Sequence, residues 1–394
     1  MSIKTIEPAA AGMKAAALRE IDAMLLSDIA GGRNFGASLL VARRGAVVRQ
    51  SVLGQSAPGR LTAAGDRYIL MSMSKAYTAV LVLRAIDAGL FDLDTRVSEI
   101  APAFGAGGKQ DATIRQLLCH TAGLPTTPLA PPLTFGDIGQ LARHFEAICA
   151  LEAVYEPGTR CAYTSGTGYD ALGQLLVLTD PAGRSFRQMA HDEIFAPLGM
   201  SRSSFGLSPS DANRVPVSFT PSATTPASPI MAEAFNVRMD ETAEYPCAGA
   251  FSDLADVFIF TEAVAGRGPT GYDLMSPALF DLARRNATGE MILENLPPKG
   301  APAFPLDAAG QAPYPAHFTL LGGYVRGEGN IFSPAGRHAS PETLAAVGGG
   351  TTGWMHDPVR DLTVIFLSAG LVEGVAHPQR LQKIHDMAIA AIED

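Results

Sequence analysis

Cysteine is scarce in this chain. There are four, Cys119, Cys149, Cys161 and Cys247, with no C-x-x-C pair among them, so neither a disulfide scaffold nor a structural zinc site is expected and all four read as reduced and buried. Basic charge is also thin: 30 Lys and Arg stand against 39 Asp and Glu, and no Lys/Arg run occurs, which argues against a nucleic-acid partner. No stretch of ~18 apolar residues is free of charge, so no membrane span is expected. Residues 1–12 hold no apolar core of signal-peptide length, and the expected location is cytoplasmic. The eight histidines form no H-E-x-x-H and no Cys/His cluster has zinc spacing, so no metal or cofactor is expected. G-x-S-x-G, the strand-to-helix elbow of another hydrolase class, does not occur. The one G-x-G-x-x-G, Gly266 to Gly271, follows a helical pattern rather than a strand and contains Pro269, so it reads as a loop.

What is present points to a large globular protein. At 394 residues the chain is long for one core, so two lobes are expected, and 47% apolar against 18% charged residues suits folding rather than disorder. Leu18, Ile21, Leu25 and Ile29 recur at helical spacing and predict an opening helix over 14–29. Two β-rich runs between Gly36 and Gln55, around Arg43-Arg44-Gly45, predict a hairpin. Tyr68 to Met71 is a short apolar run that leads into a helical pattern from Ser72 to Ala88, stopped by Gly89. From Asp92 to about Gly199 the pattern is mainly helical, and Asp253 to Ala265 is helical again. Pro125 to Pro132 and Ser208 to Pro229 are irregular. Phe318–Val325, Leu344–Val347 and Leu362–Ser368 read as strands, and Gln379–Ile392 as a final helix. Strands near both ends with helices between them suggest a discontinuous α/β domain with a helical insertion.

Three motifs carry chemistry. In Ser72-Met73-Ser74-Lys75, residues three apart share a helix face, which sets an amine beside a hydroxyl that needs a base to become a nucleophile. A helix N-terminus there also aims N–H groups and a positive dipole at the point of attack. The same four residues read alone as a helix cap and a solvated lysine. Glu156 to Gly166 is a tight turn that presents Tyr163 and Ser165; a phenol near a cation ionises more readily, although a lone tyrosine is more often buried with its hydroxyl satisfied. In Val347-Gly348-Gly349-Gly350-Thr351-Thr352-Gly353, glycine lets backbone approach a ligand and offer N–H groups to an oxyanion, or else forms a simple hairpin turn.

The order S-x-x-K, then His120-Thr121-Ala122-Gly123-Leu124, then P-G-x-x-x-x-Y-x-S, then a small-residue strand before Asp357-Pro358, resembles the serine β-lactamase and penicillin-binding-protein superfamily. Within it the chain is most similar to the class C-like branch that includes family VIII carboxylesterases, and the similarity runs from about Asn34 to Ser368. The resemblance implies a fold class of α/β (α+β): an antiparallel sheet flanked by helices, with a mainly helical lobe. Residues 1–71 and 310–394 would form the discontinuous α/β domain and residues 72–309 the lobe, with the site in the cleft between them. It implies that Ser72 is the acylated nucleophile, that Lys75 and Tyr163 share the base and acid work, and that the backbone N–H groups of Ser72 and Gly350 form the oxyanion hole. Ser165, Gly348 and Gly349 are the implied substrate-binding residues. His120 is expected to be structural.

Two departures matter. Lactamases of this branch carry Asn where this chain has Ser165, and K-T-G where it has Val347-Gly348-Gly349. Valine cannot meet the carboxylate of a penicillin. The expected activity is therefore a serine carboxylesterase on a neutral small-molecule ester, acting through an acyl-enzyme. The alternatives are an acyltransferase, a weak β-lactamase or D-amino-acid amidase, or a silent binding protein. The stretches Pro125–Asp137 and Ser208–Asn236 are expected to shape the pockets.

Overall fold

Alternating apolar runs at the two ends of the chain meet in one sheet. The computed structural model describes residues 3–220, 228–269, 271–300, 314–330, 333–372 and 374–394. The sheet has seven antiparallel strands: β1 (Gly36–Arg43), β2 (Ala46–Ala57), β3 (Arg60–Leu61), β4 (Tyr324–Val325), β5 (Leu344–Gly348), β6 (Thr352–Asp357) and β7 (Leu362–Ala369), in the order β3-β2-β1-β7-β6-β5-β4. The N-terminal hairpin thus joins the C-terminal strands through β1 and β7, with Leu40 opposite Ile365. Strand β6 was not anticipated; the glycines before it and the polar residues within it hide its pattern. Of the expected strand 318–325, only Tyr324–Val325 pairs in the sheet, because the chain turns at Leu320–Gly322.

The strand period of two splits the sheet's side chains between two cores. On one face Ala37, Leu39, Val41, Val364 and Phe366 pack with α1 (Ala15–Ala30) and the C-terminal helix Ala376–Ala390. On the other, Leu40, Ala42, Trp354, Ile365 and Leu367 join the large core of the helical region, where α2 (Ser74–Asp87) is buried on nearly every face. This is the expected antiparallel sheet flanked by helices. Further helices in the helical region are α3 (Leu141–Ala150), α4 (Thr167–Thr179), α5 (Ser228–Arg238) and α6 (Leu254–Val264); the Ala376–Ala390 helix is α7. The expected division at 309/310 and part of the Ser208–Pro229 stretch lie outside the described residues. All four cysteines are buried and free. Among the described residues no helix is long and apolar enough to cross a membrane.

One stability prediction arises at the start of α6. Asp253 caps it by accepting the Asp256 N–H, while the Asp256 carboxylate accepts from Arg202 N at 2.7 Å and Ser203 Oγ at 2.9 Å. Burial, then the neighbouring Asp253, pushes Asp256 up to about 6. The folded state therefore holds a proton more tightly than the unfolded chain, whose carboxyl titrates near 4. The penalty is absent below that value, grows between there and about 6, and is complete above. Asp256→Asn keeps an acceptor for both donors. Its Tm should exceed the wild type's at pH 8, and the difference should vanish at pH 4, as measured by calorimetry at both values.

Candidate active site

The chain reaches the site along Tyr68–Ile69, which pairs with Ala250–Ser252 in a separate three-stranded sheet. Leu70 is then pinned from both sides: its N–H bonds Ala250 O at 2.7 Å and its carbonyl accepts Thr352 Oγ1 at 2.8 Å. Met71 follows with φ of 50°, a left-handed conformation that costs a side-chain-bearing residue roughly 1–2 kcal/mol. This bend swings Ser72 into a single 3₁₀ turn, Met71–Met73, and α2 begins only at Ser74. The helix therefore starts two residues later than its pattern suggests, and Ser72 sits at its N-terminal end. Ser74, by contrast, is fully buried and its Oγ accepts from Ala250 N at 3.0 Å.

Lys75 is 1% exposed. Its Nζ lies 3.2 Å from Ser72 Oγ and donates to Ser165 O at 2.8 Å and Cys247 O at 3.1 Å. The amine therefore points at one hydroxyl and two carbonyls rather than at solvent. Nζ also lies 5.1 Å from the centroid of the Tyr163 ring.

Tyr163 is held as a plate. Its ring stacks on Phe318 at 5.9 Å and 13°, and His120 lies against it at 4.7 Å. His120 is buried; its Nδ1 accepts the Thr164 N–H at 3.2 Å and lies 2.8 Å from Thr164 Oγ1. Burial, then the Lys75 charge, holds His120 well below its ordinary pKa. It is a neutral prop beneath the tyrosine loop. Gly166 closes that loop against the Pro128 carbonyl, where a Cβ would stand 1.9 Å from the oxygen.

Strands β5 and β6 form a hairpin with Gly348 opposite Thr352, and residues 349–351 make its turn. Gly350 has φ of 74°, and a Cβ there would meet Leu371 Cδ2 at 2.6 Å, so glycine is required on both counts. Its carbonyl accepts from Val372 N at 3.1 Å and Arg380 Nη2 at 3.2 Å. Gly348 stands back from the opening, packed against the Leu70 carbonyl.

These elements enclose a cavity of about 230 Å³. Ser72, Tyr163, Ser165, Gly349 and Gly350 line it, and Lys75 lies beneath. Pro128, Phe135, Met231 and Phe235 come from the two stretches expected to shape a pocket, and Tyr245, Tyr324 and Leu371 from elsewhere. None of these wall residues was singled out from the sequence. Met231 and Phe235 carry a faint signal, four residues apart on α5, in a stretch that reads as a loop. The remaining walls are single residues brought in by the fold. Among the described residues no Lys, Arg, Asp or Glu lines the cavity. His377 does, but burial and then Arg380 lower it to about 3, so it is neutral at pH 7. Arg337 is turned away onto Gln382. Ser165 Oγ is buried without a hydrogen-bond partner.

A helical layer packed on an antiparallel sheet, with a serine beside a buried lysine at a cavity next to a sheet-edge turn, is the arrangement of the β-lactamase fold. The Beta-lactamase family model matches residues 17–388, and the chain belongs to that family. Penicillin-binding protein 4 of Amycolatopsis lactamdurans is 38% identical over 140 residues, 34% of each chain. Protein flp of Staphylococcus aureus (strain MW2) is 28% identical over 192 residues, 48% of this chain and 38% of the relative. The matches thus span little more than a third of the length of these curated relatives. Three solved structures share the fold at full length. EstCE1, a hydrolase with promiscuous acyltransferase activity, gives a TM-score of 0.73 at 21% identity, covering 95% of this chain and 98% of its own. A family VIII carboxylesterase gives 0.73 at 18%, covering 98% and 99%. A penicillin-binding-protein homologue from Caulobacter crescentus gives 0.73 at 20%, covering 99% and 100%.

Proposed function

We propose that this chain is a carboxylesterase that acylates Ser72 with neutral ester substrates. The observation that carries the reading is Lys75 Nζ at 3.2 Å from Ser72 Oγ, under a cavity with no charged side chain in its lining among the described residues. In the proposed cycle Ser72 Oγ attacks the ester carbonyl while its proton passes to the Lys75–Tyr163 pair. The oxyanion forms against the backbone N–H groups of Ser72 and Gly350. The pair returns the proton to the departing alkoxide, leaving an acyl-Ser72 ester. Water then attacks that ester by the reverse path, giving a carboxylic acid and free Ser72. Ser165 and Gly349 border the bound ester, and the apolar wall holds its acyl or alcohol part. The activity named for EstCE1 supports a second reading in which an alcohol replaces water in the last step.

Substrate class follows from charge. A β-lactam presents a carboxylate beside the scissile bond, and a buried carboxylate without a partner costs several kcal/mol. The Val347 side chain offers it neither charge nor hydrogen bond, and the nearby Arg380, which does not line the cavity, directs Nη2 at Gly350 O, Ser368 Oγ and His377 Nδ1. p-Nitrophenyl butyrate should therefore be turned over at least ~100-fold more efficiently, in kcat/KM, than nitrocefin. Equal efficiency on the two would return the reading to a lactamase. Product analysis of the ester reaction with and without added alcohol separates hydrolysis from acyl transfer.

A further inference from the structure

Behind Lys75 lies a second buried polar group that the proposed chemistry does not use. Asp170, in the first turn of α4, and His144, on α3, are 0% and 2% exposed. His144 Nδ1 lies 2.7 Å from Asp170 Oδ2. On the far side of the ring, Nε2 accepts the Ala130 N–H at 2.9 Å. That bond assigns the tautomer: Nε2 carries no proton, so Nδ1 carries it and donates to the carboxylate. The other carboxylate oxygen, Oδ1, accepts the Cys247 N–H at 2.9 Å. The carbonyl of the same residue, Cys247, accepts Lys75 Nζ at 3.1 Å.

The connection is therefore continuous. It runs from the cavity-side loop at Ala130, through His144 and Asp170, to the residue that holds the lysine, and from the lysine to Ser72. Ser165, whose carbonyl is the lysine's other backbone acceptor, lies just before α4, the helix that carries Asp170. A buried carboxylate is a poor way to obtain stability, since an apolar pair of similar volume packs at lower cost. What it supplies is direction: it fixes the Cys247 segment so that the carbonyl faces Nζ, and charge-assisted bonds hold this more firmly than neutral ones.

We propose that Asp170, oriented by His144, is a positioning residue for Lys75 that sets the direction of the amine toward Ser72 and ties it to the cavity wall at Pro128–Ala130. The inference rests on the Ser72–Lys75 reading of the site. Asp170→Asn cannot satisfy its surroundings: the amide places an N–H against either the Cys247 N–H or the protonated ring nitrogen, and moving that proton to Nε2 sets it against the Ala130 N–H. His144→Leu removes the orienting ring. His144→Gln can still donate to Asp170 and accept from Ala130.

The test is the rate constant for labelling of Ser72 by a fluorophosphonate, with kcat and KM on p-nitrophenyl butyrate, for the full chain and these three variants. Asp170→Asn and His144→Leu should each lower the labelling rate constant and kcat by about 10- to 100-fold, the range for one misdirected charge-assisted hydrogen bond, with KM within about threefold. His144→Gln should recover most of the loss, which a purely space-filling role would not predict. If Asp170→Asn does not fold, the His144 pair decides the matter alone. Wild-type rates in the folded variants, or a rise in KM with kcat unchanged, would overturn the positioning role. Failure of the wild-type protein to label at Ser72 would instead remove the underlying reading of the site.

Discussion

Ser72→Ala is expected to lower ester hydrolysis by at least ~10³-fold while leaving the melting temperature near that of the wild type, the drop typical of losing a nucleophile whose partners remain in place. The physical basis is the separation of the two serines in the motif. Ser72 Oγ is bonded to Lys75 and faces the cavity, so its removal costs the fold little. Ser74 is fully buried with its Oγ committed to Ala250 N, and it cannot turn outward to replace its neighbour. Intact mass after exposure to a fluorophosphonate should show one adduct on the wild type and none on Ser72→Ala. An adduct on the variant, or retention of a large share of its turnover, would mean that the reaction runs through another group.

The second large effect concerns the proton carriers. Lys75→Ala and Tyr163→Phe should each reduce kcat by about 10²- to 10⁴-fold, the usual range for a general acid–base group. The double variant should lose far less than the product of the two, because residues that work as a unit fail together. The geometry motivates this: Nζ lies 5.1 Å from the Tyr163 ring centroid while touching Ser72 Oγ, so the proton held by one group is felt by the other. Lys75→Ala should also destabilise the fold, since Ser165 O and Cys247 O lose their donor, and each buried carbonyl left unpaired costs about 1–3 kcal/mol. Tyr163→Phe keeps the stack on Phe318 and should melt close to the wild type. A thermodynamic cycle on kcat, with thermal melts of all four proteins, checks both statements. Strictly multiplicative losses would mean two independent functions.

Legibility in the sequence followed the range of the interaction. The opening helix, the N-terminal hairpin, the α2 helix and the C-terminal helix were readable because periods of 3.6 and 2 are written in neighbouring residues. The Ser72–Lys75 pairing was readable for the same reason, being a contact across one turn. Strand β6 was not, because its apolar residues are interrupted by Thr352, His356 and Asp357, and its pairing partners lie in β5 and β7. The two-residue delay of α2 was hidden as well. It depends on Leu70 being pinned by Ala250 and Thr352, residues about 180 and 280 positions away.

By itself, then, the sequence determined the presence of an S-x-x-K motif, the glycine turn near it and a sheet assembled from both ends of the chain. Each of these is a local pattern or an ordered set of motifs. Only the tertiary structure decided that the lysine's hydrogens go to Ser165 O and Cys247 O, that His120 is a neutral prop, and that the cavity wall described is mostly apolar, with no Lys, Arg, Asp or Glu in it. It also placed His144 and Asp170 behind the lysine. Those outcomes depend on which distant backbone carbonyls and side chains converge in space, and a carbonyl carries the same chemistry at every position of the chain. Burial gives it a particular role, because without water each donor must find a partner inside the fold.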